Sequence, residues 1–128
     1  MSEKKILIVD DDKFVLDSFA MVFKKVGYIV LSAASAERAM EILNEENINV
    51  MLLDLNLPGM NGVELCEQIR NDNPLALIYA VTGYSSLFEF TDCRKAGFDD
   101  YFSKPINLSV LLKTTEHAFE TLDRWEKE

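Results

Sequence analysis

The sequence lacks the features that mark membrane-spanning and nucleic-acid-binding proteins. None of its apolar runs approaches the roughly 18 residues that a membrane-spanning helix needs, and the segment 1–5 leads into a strand-like run rather than the apolar core of a signal peptide. Basic residues number 13 against 22 acidic ones, for a net charge of -9, which argues against an interface that neutralises nucleic-acid phosphates. We therefore expect a cytoplasmic protein whose partners are proteins or cations.

Cysteine and histidine are also scarce. Cys66 and Cys93 each lie in a helical apolar pattern, and neither has a partner at metal-ligand spacing. We expect both thiols to be reduced and buried, because disulfides are rare in reducing compartments. The single histidine, His117, falls on the last predicted helix, where we interpret it as an ordinary surface or packing residue.

What the sequence does contain is an alternation of apolar runs and helix-period segments. A chain of 128 residues with 48% hydrophobic content suits one domain with one core, which we expect over residues 1–128. The predicted strands are Ile6–Val9, Tyr28–Leu31, Val50–Leu53, Leu77–Val81 and Tyr101–Phe102. Because these runs are apolar at nearly every position, they are typical of strands covered on both faces.

Helix-period segments separate the five runs. The predicted helices are Lys13–Val26, Ala36–Asn44, Val63–Asn71, Leu87–Ala96 and one that begins at Leu108. Ser35 is a candidate N-terminal cap, and Gly27 and Gly97 are candidate C-terminal caps. Strict alternation of strand and helix predicts an α/β fold, with a doubly wound parallel sheet between two layers of helices.

Polar side chains follow four of the predicted strands. Asp10 and Asp11 follow the first strand, Asp54 the third, Thr82 the fourth and Lys104 the fifth. Because ligand sites of open parallel sheets form beyond the carboxyl ends of the strands, we expect these side chains to meet. Crowded carboxylates require a proton or a cation, and an all-oxygen set suits Mg²⁺ or Mn²⁺. Thr82 and Lys104 suit phosphoryl oxygens, and one carboxylate can then act as a nucleophile.

Four motifs in order give the chain a family resemblance. They are Ile6-Leu7-Ile8-Val9-Asp10-Asp11-Asp12, Leu53-Asp54-Leu55-Asn56-Leu57-Pro58-Gly59-Met60-Asn61-Gly62, Val81-Thr82-Gly83, and the run from Lys95 through Asp99-Asp100-Tyr101-Phe102-Ser103-Lys104 to Pro105. The sequence resembles the receiver domain of two-component response regulators, including the single-domain chemotaxis regulators. The resemblance covers a core from about residue 5 to 122, which leaves 123–128 as an extension of the last helix. It implies a five-stranded, flavodoxin-like (βα)5 fold with strand order 2-1-3-4-5.

The resemblance also implies a role for each matching residue. Asp54 would be the phosphoacceptor, with Asp11 as the principal metal-binding acid and Asp10 acting partly through metal-bound water. Asn56 would offer its backbone carbonyl to the ion, which would be Mg²⁺ or Mn²⁺. These roles describe an acidic pocket built around one cation.

Further roles follow from the other two motifs. Thr82 and Lys104 would contact the phosphoryl oxygens, and the bond from Lys104 to Pro105 would be a cis peptide. Thr82 and Tyr101 would act as the switch pair. We interpret Pro58-Gly59 and Asn61-Gly62 as turn residues that supply positive φ and a tight bend.

The function implied by the resemblance is signalling rather than turnover. The chain would take a phosphoryl group from a histidine kinase or a histidine phosphotransfer protein onto Asp54, and would catalyse only its own phosphorylation and dephosphorylation. The fourth helix, fifth strand and fifth helix would change to control a partner, with a phosphorylation-dependent homodimer as one outcome. Phe88 or Phe90 is expected to face outward on that surface.

Other functions remain compatible with parts of the pattern. A pseudo-receiver would keep the fold as an interaction module, and a receiver fragment would belong to a larger regulator or hybrid protein whose output domain is absent. A flavodoxin-like cofactor protein would need a phosphate-cradling first loop, which Asp10, Asp11 and Asp12 would repel. A haloacid-dehalogenase-type phosphatase would need an aspartate where Asn56 stands.

Two positions raise further hypotheses. Tyr84, together with Asn56, would shield an acyl phosphate from water and lengthen its lifetime. The apolar pattern of the last helix extends to Leu122 and Trp125, past the length needed to cover the sheet. Either these two side chains pack on a second subunit, or the helix leads into an output domain.

Overall fold

The structure is a computed structural model that describes residues 3–83 and 87–127, without the side chains of 87–89. Strands and helices alternate along the described residues, as the apolar pattern predicts. Their bounds are β1 (Lys5–Val9), α1 (Lys13–Lys25), β2 (Ile29–Ala33), α2 (Ala36–Glu45), β3 (Val50–Leu53), α3 (Gly62–Asp72), β4 (Leu77–Thr82), α4 (Leu87–Ala96), β5 (Asp100–Ser103) and α5 (Leu108–Lys127).

The strands form one parallel sheet in the order β2-β1-β3-β4-β5. The predicted α/β fold and strand order 2-1-3-4-5 are therefore confirmed. The strand order reverses direction at β1, so the following helices cover both faces of the sheet. The carboxyl ends of all five strands lie along one edge.

Alternate residues of the central strands divide the core into two layers. Leu7 and Val9 of β1 pack in the layer of α2, α3 and α4, whereas Ile6 and Ile8 pack in the layer of α1 and α5. Every residue of β3 and β4 is buried, which accounts for their continuous apolar runs.

The two edge strands differ from the sequence prediction. We expected all five runs to be covered on both faces, but β2 and β5 contain exposed residues, and Ile29 is 39% exposed. The reason is the strand order, because each edge strand has a neighbour on one side alone. The apolar pattern of a single run does not indicate whether its strand lies at the edge of the sheet.

Helix ends follow their capping chemistry. The side chain of Ser35 accepts a hydrogen bond from the amide of Arg38, and Asp12 accepts one from Phe14 at the start of α1. Gly27 and Gly97 have φ of 94° and 105°, conformations that favour glycine where a helix ends. The predicted caps at Ser35, Gly27 and Gly97 are confirmed.

Both cysteines are buried thiols outside any disulfide, as predicted. Burial raises the pKa of the Cys66 thiol to about 12, so this side chain behaves as an apolar group at neutral pH. Among the described residues, no helix is both long enough and apolar enough to cross a membrane.

Candidate functional site

Backbone hydrogen bonds carry the sheet pairing one residue beyond the strand ends, and this fixes the predicted site residues in place. The amide of Asp10 donates to the carbonyl of Ala33 at 3.1 Å, and the amide of Asp54 donates to that of Val9 at 2.9 Å. The amide of Lys104 donates to the carbonyl of Thr82 at 2.7 Å. Each polar side chain therefore starts from a rigid position at the carboxyl edge of the sheet.

Asp10, Asp11 and Asp54 form one acidic cluster. Each offers a carboxylate oxygen within 4.8 Å of the others. Asp10 and Asp54 are buried, with 3% and 6% exposure, whereas Asp11 is exposed. At such a spacing two ionised carboxylates repel by about 3 kcal/mol at an effective dielectric constant of about 20. The cluster therefore needs compensating positive charge.

Lys104 supplies part of that charge. Its Nζ donates to Oδ2 of Asp10 at 2.6 Å and to Oδ2 of Asp54 at 3.2 Å. Burial alone would lower the pKa of Lys104, but the hydrogen bonds and charges of the two carboxylates outweigh it and raise the pKa. Burial raises the pKa of Asp10, and the charge of Asp54 adds to that rise, against the hydrogen bond from Lys104. One ammonium thus pairs with two of the three carboxylates in the cluster.

The two buried carboxylates are held in the same way. Oδ1 of Asp10 accepts from the amide of Asp12 at 2.9 Å, and Oδ1 of Asp54 accepts from the amide of Asn56 at 3.1 Å. In both residues Oδ2 is the atom that faces Lys104. Each carboxyl group therefore has a fixed orientation, which pre-organises it for binding or chemistry.

The donor set fits a hard divalent cation. Mg²⁺ prefers oxygen ligands, keeps several waters and binds through one or two carboxylates. The acidic cluster provides such oxygens with excess negative charge, and exposed Asp11 gives it access to solvent. Asp10, Asp11 and Asp54 could therefore hold a metal ion.

The remaining predicted residues lie on β4, on β5 and directly after β5. Thr82 is fully buried at the end of β4, and the bond from Lys104 to Pro105 is cis, the isomer that the resemblance implies. Tyr101 is half-buried on β5. In the strand register it pairs with Ala80, which lies two residues before Thr82 on β4. Tyr84 lies outside the described residues.

The turn after Asp54 combines a glycine with positive φ and a helix cap. Gly59 has φ of 73°, as predicted from the Pro58-Gly59 pair. Asn61 caps α3 and exchanges side-chain and backbone hydrogen bonds with Glu64. This turn directs the chain away from the site immediately after the carboxylate.

The prediction of positive φ at Gly62 is wrong. Gly62 is the first residue of α3 and is absent from the positive-φ residues of the described chain. Glycine is required there because a Cβ atom would collide with the carbonyl oxygen of Asp54 and would lie 2.8 Å from Cα of Leu55. The residue lets α3 begin directly against the Asp54 backbone.

Sequence reasoning missed the role of Arg70. Its guanidinium donates to the carbonyls of Pro74, Ala76 and Gly97 and to the carboxylate of Asp99. Asp99 also accepts from the amide of Ile78 at 2.8 Å. These hydrogen bonds join the end of α3 to the start of β4 and to the turn between α4 and β5. Its acceptors are mostly backbone carbonyls, which leave no sequence signal.

Solved structures resemble the whole fold. A receiver domain protein described as CheY-like, from Methanospirillum hungatei JF-1, has a TM-score of 0.89 and 40% sequence identity, with 98% of each chain covered.

Curated relatives match at similar identity but are longer. A cyclic di-GMP phosphodiesterase of Thermotoga maritima is 36% identical over 113 residues, which are 88% of this chain and 30% of the relative. The transcriptional regulatory protein YvrH of Bacillus subtilis is 38% identical over 123 residues, 94% of this chain and 52% of the relative. The chain thus spans between 30% and about half of the length of these relatives.

The family described as the response regulator receiver domain matches residues 6–116. That span contains Asp10, Asp11, Asp54, Thr82 and Lys104, the residues that the fold gathers at one edge of the sheet. The family match, the shared fold and the sequence identity to relatives agree. The chain belongs to the response regulator receiver domain family.

Proposed function

We propose that this receiver domain accepts a phosphoryl group onto Asp54 from a histidine kinase or a histidine phosphotransfer protein. The observation that supports it most directly is the setting of Asp54. Its carboxylate is 6% exposed, fixed by the amide of Asn56, and paired at 3.2 Å with the ammonium of Lys104. A buried, oriented and charge-paired carboxylate suits a nucleophile better than a solvated surface acid.

The transfer step uses a single nucleophile of this chain. An oxygen of Asp54 attacks phosphorus of a phosphohistidine, so a P–O bond forms as the P–N bond breaks, and the leaving imidazole takes up a proton from solvent. Lys104, whose pKa is raised, stays protonated and stabilises charge on the phosphoryl oxygens. The hydroxyl of Thr82, at the end of the neighbouring strand, would donate to another of those oxygens.

Asp10, Asp11 and Asp54 would hold a Mg²⁺ or Mn²⁺ ion, with the backbone carbonyl of Asn56 as a further ligand. Such an ion supplies positive charge against the oxygens of the transferring group. Exposed Asp11 lets water and ligands exchange at the site, while buried Asp10 and Asp54 keep their orientation.

The readout would use α4, β5 and α5. Phe90 is 44% exposed on α4, and its ring lies 6.0 Å from that of Tyr101 at 73° between the ring planes. The register joins Tyr101 to Ala80, two residues before Thr82 in the same strand. A shift of Thr82 toward a phosphoryl group would change how these aromatic side chains pack and so change the surface offered to a partner.

We further infer that the domain has no turnover beyond its own phosphorylation and dephosphorylation. The relatives' names include a phosphodiesterase and a transcriptional regulator, but those proteins are two to three times as long as the matched part. An output domain or a separate protein target would carry the response, and the cellular setting would be the cytoplasm.

The test is phosphorylation by a small acyl-phosphate donor with Mg²⁺, followed by intact-mass measurement. We expect the wild-type chain to gain the mass of one phosphoryl group and Asp54→Ala to gain none. Asp17→Ala, a matched control at an exposed aspartate of α1, should gain the group as the wild type does. Hydroxylamine should remove it, because acyl phosphates are cleaved by that nucleophile.

A folded wild-type chain that gains no mass under these conditions would favour the pseudo-receiver. Gain of mass by Asp54→Ala would place the acceptor at another residue. Omission of Mg²⁺ should abolish the gain if the acidic cluster holds the cation.

A further inference from the structure

The end of α5 carries the single tryptophan of the chain, and the fold leaves its indole partly uncovered. Leu111, Thr115, Ala118 and Leu122 precede Trp125 along α5 at intervals of three and four, and the first three are buried. Trp125 continues this stripe but is 42% exposed. Part of its aromatic surface is therefore available to a binding partner.

A groove of about 280 Å³ lies beside this side chain, where β1, β3 and β4 begin. This is the edge of the sheet opposite Asp54, which follows the end of β3. Leu75, which is 62% exposed, and buried Phe119 give the groove an apolar side. Its volume is at the lower limit for small-molecule sites, so the groove suits one or two side chains of a partner better than a whole cofactor.

Acidic side chains outnumber available basic ones around the groove. Three carboxylates line it, from Glu3, Asp123 and Glu126. None of the three forms an ion pair with another residue that the structure describes. Of the two lysines in the lining, Lys5 already pairs with Glu46 at 3.2 Å, which leaves Lys4. The uncompensated charge is negative, so the groove is complementary to a cation.

The combination of an exposed indole and nearby carboxylates favours a guanidinium as that cation. Tryptophan has the aromatic face that attracts cations most strongly, and a planar guanidinium can also stack on it. Asp123 and Glu126 lie within two residues of Trp125 and line the same groove, so their oxygens can accept N–H groups at the rim of a stacked guanidinium. A guanidinium is more weakly hydrated than an ammonium, which lowers the cost of its entry.

We propose that the groove beside Trp125 binds an arginine-bearing segment of a partner protein. The guanidinium stacks on the indole and pairs with Asp123 or Glu126, and an apolar side chain next to the arginine covers Leu75. The partner binds whether or not Asp54 carries a phosphoryl group, because the groove is at the opposite edge of the sheet. The proposal goes beyond the proposed function and does not rest on it.

The probe is a capped pentapeptide, Gly-Leu-Arg-Leu-Gly, titrated into the protein at low ionic strength. Trp125 is the single tryptophan, so its emission reports directly on the groove. We expect a saturable change in emission with a dissociation constant on the order of 1 mM. The matched peptide replaces arginine by citrulline, which keeps the shape and loses the charge. It should bind at least about fivefold more weakly.

Charge-neutralising variants locate the carboxylates that act. Asp123→Asn combined with Glu126→Gln should weaken binding of the arginine peptide by at least about fivefold, because the guanidinium loses both partners on α5. Glu116→Gln combined with Glu120→Gln is the matched control. It removes the same charge from exposed positions of α5 that do not line the groove, and it should bind as the wild type does.

The role of the indole is tested by Trp125→Leu. Because this variant has no tryptophan emission, binding is followed through the backbone amide resonance of Leu75, in the variant and in the wild type alike. We expect binding to weaken by at least about threefold, since leucine keeps the apolar contact but offers no aromatic face.

Three results would overturn the proposal. One is an arginine peptide that changes neither the emission of Trp125 nor the resonance of Leu75. Another is equal binding of the arginine and citrulline peptides, because the contact would then be apolar alone. The last is an equal loss of binding in the groove variant and in the Glu116 and Glu120 control, which would indicate a general attraction of cations to a chain of net charge -9.

Discussion

Nζ of Lys104 lies 3.2 Å from Oδ2 of Asp54, although the two residues follow strands that are not neighbours. Lys104 follows β5 and Asp54 follows β3, with β4 between them in the sheet. Two strand spacings amount to about 10 Å, so a long side chain is needed to make this contact. The lysine therefore reaches across the end of β4, where Thr82 lies, and brings its ammonium to the carboxylates that follow β1 and β3.

Replacing Lys104 by methionine should destabilise the fold and increase its response to Mg²⁺. The change leaves Asp10 and Asp54 buried without their ammonium partner, and we expect a loss of about 2 kcal/mol in the free energy of unfolding. Added Mg²⁺ should restore more stability to the variant than to the wild type. Thermal unfolding with and without MgCl₂ measures both effects.

The matched control is Lys13→Met, which removes an exposed ion pair to Asp17. Its unfolding should stay within about 0.5 kcal/mol of the wild type. Equal unfolding temperatures for Lys104→Met and the wild type would contradict the importance of the buried pair.

Substituting alanine for Gly62 should destabilise the protein by about 2 kcal/mol, because the new Cβ collides with the Asp54 carbonyl and forces α3 to move. Gly83→Ala is the control, since a Cβ there has no neighbour within 4 Å. Urea unfolding of the two variants should separate them clearly. A stable Gly62→Ala variant would show that α3 can shift at little cost.

The free energy of unfolding should fall as the pH rises from about 9 to 12. Burial raises the pKa of both Cys66 and Tyr79 to about 12, with Asp99 and Asp100 adding to the rise at Tyr79. In the unfolded chain these groups lose protons near pH 8.5 and 10, approximately their ordinary values. Above those values the unfolded state binds fewer protons than the folded state, so alkali favours unfolding.

Urea unfolding at several pH values checks this dependence. Tyr79→Phe should lose less stability than the wild type between about pH 9 and 11, because one of the two groups no longer titrates. The same decline in both proteins would contradict the assignment to Tyr79.

Removing the hydrogen bonds of Arg70 should lower the free energy of unfolding by about 2 to 3 kcal/mol. Arg70→Met leaves Asp99 and the carbonyl of Gly97 without their guanidinium partner, and both groups are part of the turn before β5. Arg38→Met is the control, because Arg38 makes an exposed pair with Glu41 at 3.9 Å. Chemical unfolding should show little change for the control, and similar losses in the two variants would refute a special role for Arg70.

The sequence predicts most of this fold because the periodicity and the caps act locally. The strand Val50–Leu53 and the positive φ of Gly27 depend on residue types within a few positions of each other. Exposure of Ile29 could not be predicted in this way, because it depends on which strand becomes an edge. Strand order came from the family resemblance and not from the pattern of any one strand.

The acidic cluster could be predicted in outline but not in its hydrogen bonds. Strand ends placed Asp10, Asp54 and Lys104 together, since a parallel sheet aligns them. The shared orientation of the two carboxylates depends on backbone amides at Asp12 and Asn56, whose direction is set by the tertiary fold. The conformation of Gly62 was predicted wrongly for a related reason. Glycine is needed there because of the backbone carbonyl of Asp54, at the end of β3, which is brought close by the tertiary fold.

The acidic cluster and its lysine draw on residues up to 94 positions apart, and Lys104 follows the last strand of the chain. During synthesis on the ribosome, Asp54 therefore emerges long before its ammonium partner. A nascent chain that has folded β1 to β4 presents carboxylates without Lys104. The complete charge arrangement that the proposed acceptor chemistry would use is therefore assembled only when β5 joins the sheet.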